Sequence, residues 1–269
     1  MAEEKAKFLR RVTWCDRAWY QLCRTCCQVS LDVLARPRCD GRGNVPKSGP
    51  VLIVSNHQSY LDPPLIGSRI TRRLNYLAKK ELFHSKLFGA LIRSVDAISL
   101  DQKGIGFQGI KETLKRLRNN EAVLIFPEGM RSLDGELNPF RKGYINLAIK
   151  TSAAIVPMAL DGAWAMYPPH QKFPHFCKPR VRVRFGEAIT PDDYKGMNEE
   201  ELHNLVEEKV RALFAEIRIH PPAAKEEPKE RLEETTKQTA EAAVKEAAEK
   251  AAEETAQKAV GEAAEKPAE

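Results

Sequence analysis

Residues 51–62 read VLIVSNHQSYLD, and residues 122–132 read AVLIFPEGMRS. Each stretch begins with a short apolar run, which is typical of a strand buried on both faces of a parallel sheet. The first run leads into a histidine followed by a carboxylate, and the second into a glutamate and an arginine around a glycine. The two stretches therefore predict two buried strands, each ending in a loop of chemically reactive side chains.

The sequence around these two stretches alternates between strand-like and helix-like patterns. Apolar runs predict further strands at residues 74–78, 97–100, 154–160 and 180–185. Helices are predicted at residues 63–69, 85–93, 107–118, 143–150 and 198–219. Interleaved strands and helices favour a mainly parallel sheet covered by helices. We expect a single α/β domain at residues 46–220.

The N-terminal segment, residues 1–45, is predicted to form an amphipathic helix over residues 5–36. Its apolar side chains alternate in spacing between four and three: Phe8, Val12, Cys15, Trp19, Leu22, Cys26, Val29 and Val33. One interpretation packs this helix on the core, and it is compatible with the second, because one stripe can face protein and another lipid. The other lays the helix in a membrane surface, with Trp14, Trp19 and Tyr20 at the interface and arginines on anionic lipid.

No apolar run approaches the roughly 20 residues of a membrane-spanning helix. We therefore expect a helical membrane-docking element, peripheral or monotopic, on the cytoplasmic face of a membrane. The C-terminal tail, residues 221–269, is rich in alanine, glutamate and lysine. High helix propensity with little apolar surface predicts a helical or disordered tail outside the fold.

The charge distribution indicates an anionic partner. Residues 1–222 contain 35 Lys and Arg against 24 Asp and Glu, a net charge of +11, which the acidic tail partly masks. A membrane surface or a phosphorylated metabolite fits this charge. Nucleic acid is not expected, because the sequence has no recognisable nucleic-acid-binding signature.

The six cysteines do not form a metal-binding pattern. Residues 23–26 have CxxC spacing, but no second pair lies downstream and no histidine lies near. We expect no metal site, and reduced thiols on a helix that faces lipid or protein.

His57 and Asp62 form the first candidate catalytic pair. On a straight helix, residues five apart point about 140° away from each other, so a pair requires His57 in the loop after the strand. Pro63 and Pro64 support this boundary, which places Asp62 as the N-cap of the next helix. Taken alone, the two residues suit a structural histidine and a helix cap. Paired, they suit a general base whose tautomer is fixed by a carboxylate.

Neighbouring residues in the same loop have supporting roles in this interpretation. Asn56 and Ser59 are candidates either to stabilise the loop or to donate hydrogen bonds to an oxyanion. The sequence contains no Gly-x-Ser-x-Gly motif, so a covalent acyl-enzyme is not expected.

The second loop, residues 126–132, suits anion binding. Pro127 ends the strand, and Gly129 allows a tight turn. Arg131 is then a candidate to grip a phosphate with two hydrogen bonds. Glu128 is a candidate to orient Arg131 or to bind a substrate hydroxyl. The alternative is a surface loop with a Glu–Arg pair, which contributes little to stability.

Residues 50–185 resemble the glycerolipid acyltransferase superfamily, and within it the 1-acylglycerol-3-phosphate acyltransferases. The resemblance is carried by four blocks in the same order: residues 56–62, residues 78–83 with Gly89, residues 126–132 and residues 155–158. It implies that His57 is the base, that Asp62 is its partner, and that Glu128, Gly129 and Arg131 bind the acceptor phosphate. Pro157 belongs to the fourth block.

The resemblance also implies the partners of the reaction. These are a membrane lipid surface, a lysophospholipid acceptor, and acyl-CoA or acyl carrier protein as the acyl donor, with no cofactor. The expected product is phosphatidic acid.

One departure from the family pattern bears on the acceptor. The second block commonly closes with Asp-Arg, and its arginine helps to hold phosphate, whereas here Asp101 precedes Gln102. Lys103 is adjacent and is a candidate substitute. Glycerol-3-phosphate and other lysophospholipids therefore stay open as acceptors. The alternative of another class is a non-catalytic membrane-associated scaffold.

Overall fold

The computed structural model of the chain describes residues 13–100, 107–171, 173–175 and 180–219. The predictions for Gln102, Lys103, Cys177 and the tail at residues 221–269 lie outside the described residues, as does the first part of the predicted N-terminal helix.

Seven strands form one sheet. Their bounds are β1 Arg38–Asp40, β2 Val51–Ser55, β3 Leu74–Lys79, β4 Ala97–Leu100, β5 Ala122–Ile125, β6 Ala154–Asp161 and β7 Arg182–Phe185. The order across the sheet is β1-β7-β6-β2-β5-β3-β4. The mainly parallel α/β fold is therefore confirmed, and every predicted strand is present.

The sequence does not predict the first strand of the sheet, β1. β1 has no apolar run and an exposed–half-buried–exposed pattern, so its sequence gives no strand signal. It forms because Cys39 and its neighbours pair in parallel with β7 around Val183. The sheet therefore already includes residues 38–40.

One pair of strands is antiparallel. β6 runs parallel to β2 from Ala154 to Met158 and antiparallel to β7 from Met158, opposite Phe185. Pro157 lies just before the antiparallel pairing, and its carbonyl accepts a hydrogen bond of 2.8 Å from the Gly186 N–H. A proline has no N–H to donate, so this contact with Gly186 uses its carbonyl alone.

Seven helices connect or cover the described strands. Their bounds are α1 Trp14–Leu34, α2 Asp62–Gly67, α3 Lys86–Ser94, α4 Phe107–Arg118, α5 Ile145–Thr151, α6 Ala163–Met166 and α7 Glu199–Ile217. Alternate residues of β2 enter different apolar clusters: Val51 and Ile53 join one, and Leu52 and Val54 join the other. β2 is thus buried on both faces, which explains its unbroken apolar run.

Helix α1 packs on the domain with the face opposite to its apolar stripe. Tyr20 and Leu31 are buried, whereas Trp19, Leu22, Val29 and Val33 are exposed. The prediction that Tyr20 lies at a membrane interface is wrong, because its hydroxyl accepts a hydrogen bond of 2.9 Å from the buried Leu74 N–H. The predicted packing of the helix on the core is present for the described residues, but the face that packs is not the apolar stripe.

Two polar contacts complete the attachment of α1. The Trp19 indole N–H donates to the Ser94 hydroxyl at the end of α3, at 2.8 Å. Arg69 forms an ion pair with Asp32, at 2.7 Å. Among the described helices, α1 included, none is both long and apolar enough to cross a membrane.

We predict that Tyr20→Phe destabilises the protein. The substitution keeps the ring but removes the acceptor for the Leu74 N–H, and an unsatisfied buried donor costs about 1–3 kcal/mol. Urea unfolding measures the loss. The matched control is Tyr60→Phe, since the Tyr60 side chain is 44% exposed and the expected change is within about 0.5 kcal/mol. Equal stability of Tyr20→Phe and wild type would contradict the predicted attachment.

Candidate active site

The Asp62 carboxylate organises the loop that follows β2. Its Oδ2 accepts hydrogen bonds from the Gln58 N–H at 2.6 Å and the Ser59 N–H at 2.8 Å, and lies 2.7 Å from His57 Nδ1. The carboxylate is fully buried. The prediction that Asp62 caps α2 is wrong: Leu61 occupies the N-cap, and Asp62 begins the helix while its side chain turns back into the loop.

This contact fixes the state of the His57 ring. A carboxylate only accepts hydrogen bonds, so the proton lies on Nδ1 and Nε2 is left free to accept one. The ring also stacks on Phe126, with centroids 4.0 Å apart and planes 14° apart. Its side chain is 18% exposed. The predicted pairing of His57 with Asp62 is therefore present, with one ring nitrogen held by the carboxylate.

Glu128 joins the two motif loops. One carboxylate oxygen accepts the His57 backbone N–H at 2.9 Å, and the other accepts the Asn138 side-chain amide at 2.7 Å. A further hydrogen bond of 2.7 Å runs from the Ser132 N–H to the His57 carbonyl. The two loops are therefore held together at the carboxyl ends of the adjacent strands β2 and β5.

Burial raises the pKa of Glu128 to about 7, against the opposing effect of its hydrogen bonds from Asn138 and His57. The nearby Asp62 carboxylate raises the pKa further. The two carboxylate oxygens are directed at the His57 loop and Asn138, so the predicted orientation of Arg131 by Glu128 is wrong. A contact between Glu128 and a substrate stays a prediction.

Arg131 lies beside the His57 loop. Its guanidinium carbon is 3.5 Å from the centroid of the Tyr60 ring. Among the described residues, its buried Nη1 has no hydrogen-bond partner. The predicted cation, Arg131, is thus next to the loop that holds the His57–Asp62 dyad. Its guanidinium stacks on the Tyr60 ring, and its Nη1 is available to donate a hydrogen bond.

Gly129 forms the turn between Glu128 and Arg131 at a φ of +74°, a conformation that favours glycine. A Cβ at this position would lie 3.0 Å from the guanidinium carbon of Arg141. The Arg141 backbone N–H also donates to the Pro127 carbonyl, at 3.0 Å. The predicted turn is present, and its bare Cα is covered by a second arginine.

The supporting residues stabilise the backbone. The Asn56 side chain exchanges two hydrogen bonds with the Leu160 backbone, at 2.8 and 2.9 Å. The Ser59 hydroxyl donates to the Tyr167 carbonyl at 2.9 Å. These contacts favour the loop-supporting role over the oxyanion role for both side chains. Pro157 is buried in β6, next to Val54 of β2.

Sequence reasoning missed four contributors to this site. These are Tyr60, Phe126 as a stacking partner, Asn138 and Arg141. Phe126 is the first residue of the second motif loop, and its position at the end of the strand is a signal that the sequence contains. Asn138 and Arg141 lie several residues beyond the motif in the sequence, and only the fold brings them into contact with it.

Across the described part of the chain, no group of three or more His, Cys, Asp or Glu side chains is arranged to hold a metal ion. The five described cysteines are free thiols: Cys15, Cys23, Cys26, Cys27 and Cys39.

We predict that Glu128→Gln changes how stability depends on pH. The carboxyl titrates near 4.5 in the unfolded chain and near 7 in the fold, so the folded state binds more protons between these values. Stability from the protonated form is complete below about pH 4.5 and is lost as pH rises through about 7. Relative to Glu128→Gln, wild type should lose up to about 3 kcal/mol between pH 5 and pH 8.

Urea unfolding of both proteins across this range measures the difference, in which the other titrating groups cancel. A difference that stays constant with pH would show that the Glu128 carboxyl keeps its ordinary pKa.

Comparison with known proteins identifies the wider group. Residues 36–161 match the family model described as Acyltransferase. The 1-acyl-sn-glycerol-3-phosphate acyltransferase of Bacillus subtilis is 28% identical over 176 residues, which cover 65% of this chain and 84% of that protein. The protein of the same name from Cocos nucifera is 32% identical over 169 residues, covering 61% of this chain and 53% of its own length.

The fold matches as well. The crystal structure of the 1-acyl-sn-glycerophosphate (LPA) acyltransferase of Thermotoga maritima has a TM-score of 0.61 and 26% identity, covering 75% of this chain and 84% of that one. Both motif loops fall within the matched family region, and the structure brings them together at one edge of the sheet. In sequence and in fold, the chain is therefore similar to the 1-acyl-sn-glycerol-3-phosphate acyltransferases.

Proposed function

We propose that the protein transfers a fatty acyl group from an acyl thioester to the free hydroxyl of 1-acylglycerol-3-phosphate, giving phosphatidic acid. The observation that carries this proposal is the 2.7 Å contact between His57 Nδ1 and Asp62, with an unpaired arginine Nη1 beside the same loop. The match to the acyltransferase family model supports the reaction, and the names of the relatives support the acceptor.

In the proposed reaction, His57 Nε2 accepts the proton of the acceptor hydroxyl as its oxygen attacks the thioester carbonyl. Asp62 holds Nδ1–H throughout and stabilises the imidazolium that forms. Collapse of the tetrahedral intermediate expels the thiolate, which takes the proton from His57. The acyl ester and a free thiol result, and the chain's own residues need no cofactor for these steps.

The donor is acyl-CoA or acyl carrier protein. Both are anionic, and the net charge of +11 over residues 1–222 attracts either. Measuring turnover with each carrier separates them.

We predict that His57→Ala slows thiol release from oleoyl-CoA with lysophosphatidate by about 10²–10⁴, the contribution of a positioned general base. The control is His170→Ala, an exposed histidine outside the dyad. Equal rates for His57→Ala and wild type would exclude the mechanism.

Acceptors other than lysophosphatidate belong to the same class of reaction. Glycerol-3-phosphate and other lysophospholipids are distinguished by a panel of acceptors at a fixed thioester concentration. A higher kcat/KM for one of them than for lysophosphatidate would change the assigned acceptor but not the type of reaction.

We further propose that α1 docks on a lipid surface. Its exposed stripe includes Trp14 at 80% and Val33 at 69% exposure, and Leu87 on α3 is exposed as well. Arg17 and Arg36 are exposed at the two ends of the helix. A surface with apolar residues, interfacial tryptophan and arginine fits an in-plane helix on anionic lipid. The lysophospholipid acceptor lies in such a surface.

We predict that replacing the exposed Leu22 and Val29 together with serine weakens vesicle binding by about 10-fold or more, because burial of each such side chain is worth about 1.5–3 kcal/mol. Co-sedimentation with vesicles containing anionic lipid measures the bound fraction. The matched control replaces the exposed Gln21 and Thr25 with serine, away from the stripe. Equal binding of wild type and both variants would contradict docking through this face.

A non-catalytic scaffold is the alternative of another class. It shares the membrane-binding expectation, so only turnover separates the two. A wild-type protein that binds vesicles and turns over no acceptor would favour the scaffold.

A further inference from the structure

Arg141 lies against the turn that separates Glu128 from Arg131. The Cζ, Nε and Nη1 atoms of its guanidinium would be 3.0, 3.1 and 3.3 Å from a Cβ on Gly129, so the planar group lies across the bare Cα. Its backbone is tied to the same turn by the hydrogen bond to the Pro127 carbonyl. Arg141 is therefore held in place by its main chain and by packing.

The guanidinium has no partner within the described part of the chain, where it makes no hydrogen bond and no ion pair. The adjacent Lys142 behaves differently, because its ammonium is 2.9 Å from a carboxylate oxygen of Glu200. Several other arginines are also paired, as Arg69 is with Asp32 and Arg116 with Glu112. A guanidinium that is exposed, held in place and unpaired among the described residues, next to the proposed substrate-binding loop, is suited to bind an anion.

Arg131 supplies a second unpaired cation at the same turn. Its Nη1 is buried without a partner among the described residues, and Arg131 follows Gly129 by two residues in the same loop. The nearest carboxylate of the motif, Glu128, is turned inward toward the His57 backbone and Asn138. One arginine thus packs on this turn and the other belongs to the same loop, while the Glu128 carboxylate is directed at the His57 backbone and Asn138.

The number of cations bears on the kind of phosphate that fits. A phosphomonoester has three free oxygens and a charge of about −1.5 to −2 at pH 7. A phosphodiester headgroup has two free oxygens and a single charge. Two guanidinium groups, each able to donate two hydrogen bonds, balance the charge of the monoester and have enough donors to contact all three of its free oxygens.

We propose that Arg141 is a second phosphate-binding residue, which acts with Arg131 to select acceptors that bear a phosphomonoester. This inference rests on the proposed function, since it assigns a substrate contact within the same site. It also bears on Gln102, which stands where the family pattern commonly has an arginine. Arg141 provides a second cation from another part of the sequence.

The test compares Arg141→Gln, Arg141→Lys and Lys142→Gln in thiol-release assays with oleoyl-CoA and lysophosphatidate. For Arg141→Gln, KM for lysophosphatidate should rise about 10-fold to 100-fold, the worth of a hydrogen bond between charged groups. kcat should stay within about threefold, because the dyad is intact. Arg141→Lys should recover part of the loss, and Lys142→Gln should match wild type.

Inhibition by soluble headgroups separates monoester recognition from a general charge effect. Wild type should be inhibited more strongly by glycerol-3-phosphate than by glycerophosphocholine, and Arg141→Gln should lose most of this preference. A thermal unfolding curve identifies any variant that has failed to fold, in which case Arg141→Lys carries the comparison.

Three results would overturn the assignment. One is an unchanged KM for lysophosphatidate in Arg141→Gln. Another is an increase confined to KM for oleoyl-CoA, which would place Arg141 at the donor. The third is an equal effect of Lys142→Gln. Wild type without turnover on lysophosphatidate would instead refute the proposed function, and the inhibitor-binding preference would then be measured directly by calorimetry.

Discussion

The site depends on one buried oxygen atom. Oδ2 of Asp62 receives the N–H groups of Gln58 and Ser59 and contacts Nδ1 of His57, all within 2.8 Å. A single acceptor thereby sets the path of the backbone after β2 and the orientation of the ring. A fully buried carboxylate is costly unless it is hydrogen-bonded, and here the backbone of the catalytic loop provides those bonds. In the proposed reaction, the charge that stabilises the loop also stabilises the imidazolium.

The second loop is coupled to the first through Glu128. Because this carboxylate binds the main chain of His57 and the side chain of Asn138, the turn proposed to bind phosphate and the proposed base share one support. Acyl transfer to a phosphorylated acceptor requires the phosphate and the reacting hydroxyl to be held at a fixed separation. A shared support provides that separation, since movement of one loop carries the other with it.

Much of the sheet follows from the sequence, because strands buried on both faces must be apolar throughout. The unbroken apolar runs of β2 and β5 predict both strands, whereas β1 has charged residues and forms only because β7 is available to pair with it.

The pairing of His57 with Asp62 follows from the sequence as well, but the prediction that Asp62 caps a helix is wrong. The pattern of a carboxylate before two prolines fits a cap, and only the loop's own hydrogen bonds redirect the side chain. Arg141 had no signal in the sequence, since its place depends on the uncovered Cα of Gly129. Periodicity identified the stripe on α1 but not the surface that it faces.

The attachment of α1 through polar contacts separates two demands on one helix. Tyr20 and Asp32 fix its position through Leu74 and Arg69, while Leu22, Val29 and Val33 of its apolar stripe are exposed. Substitutions at these three positions are therefore expected to change the surface that the helix presents with little effect on folding stability. The outward face of α1 and its attachment to the domain are thus set by different residues, so one can be altered without the other.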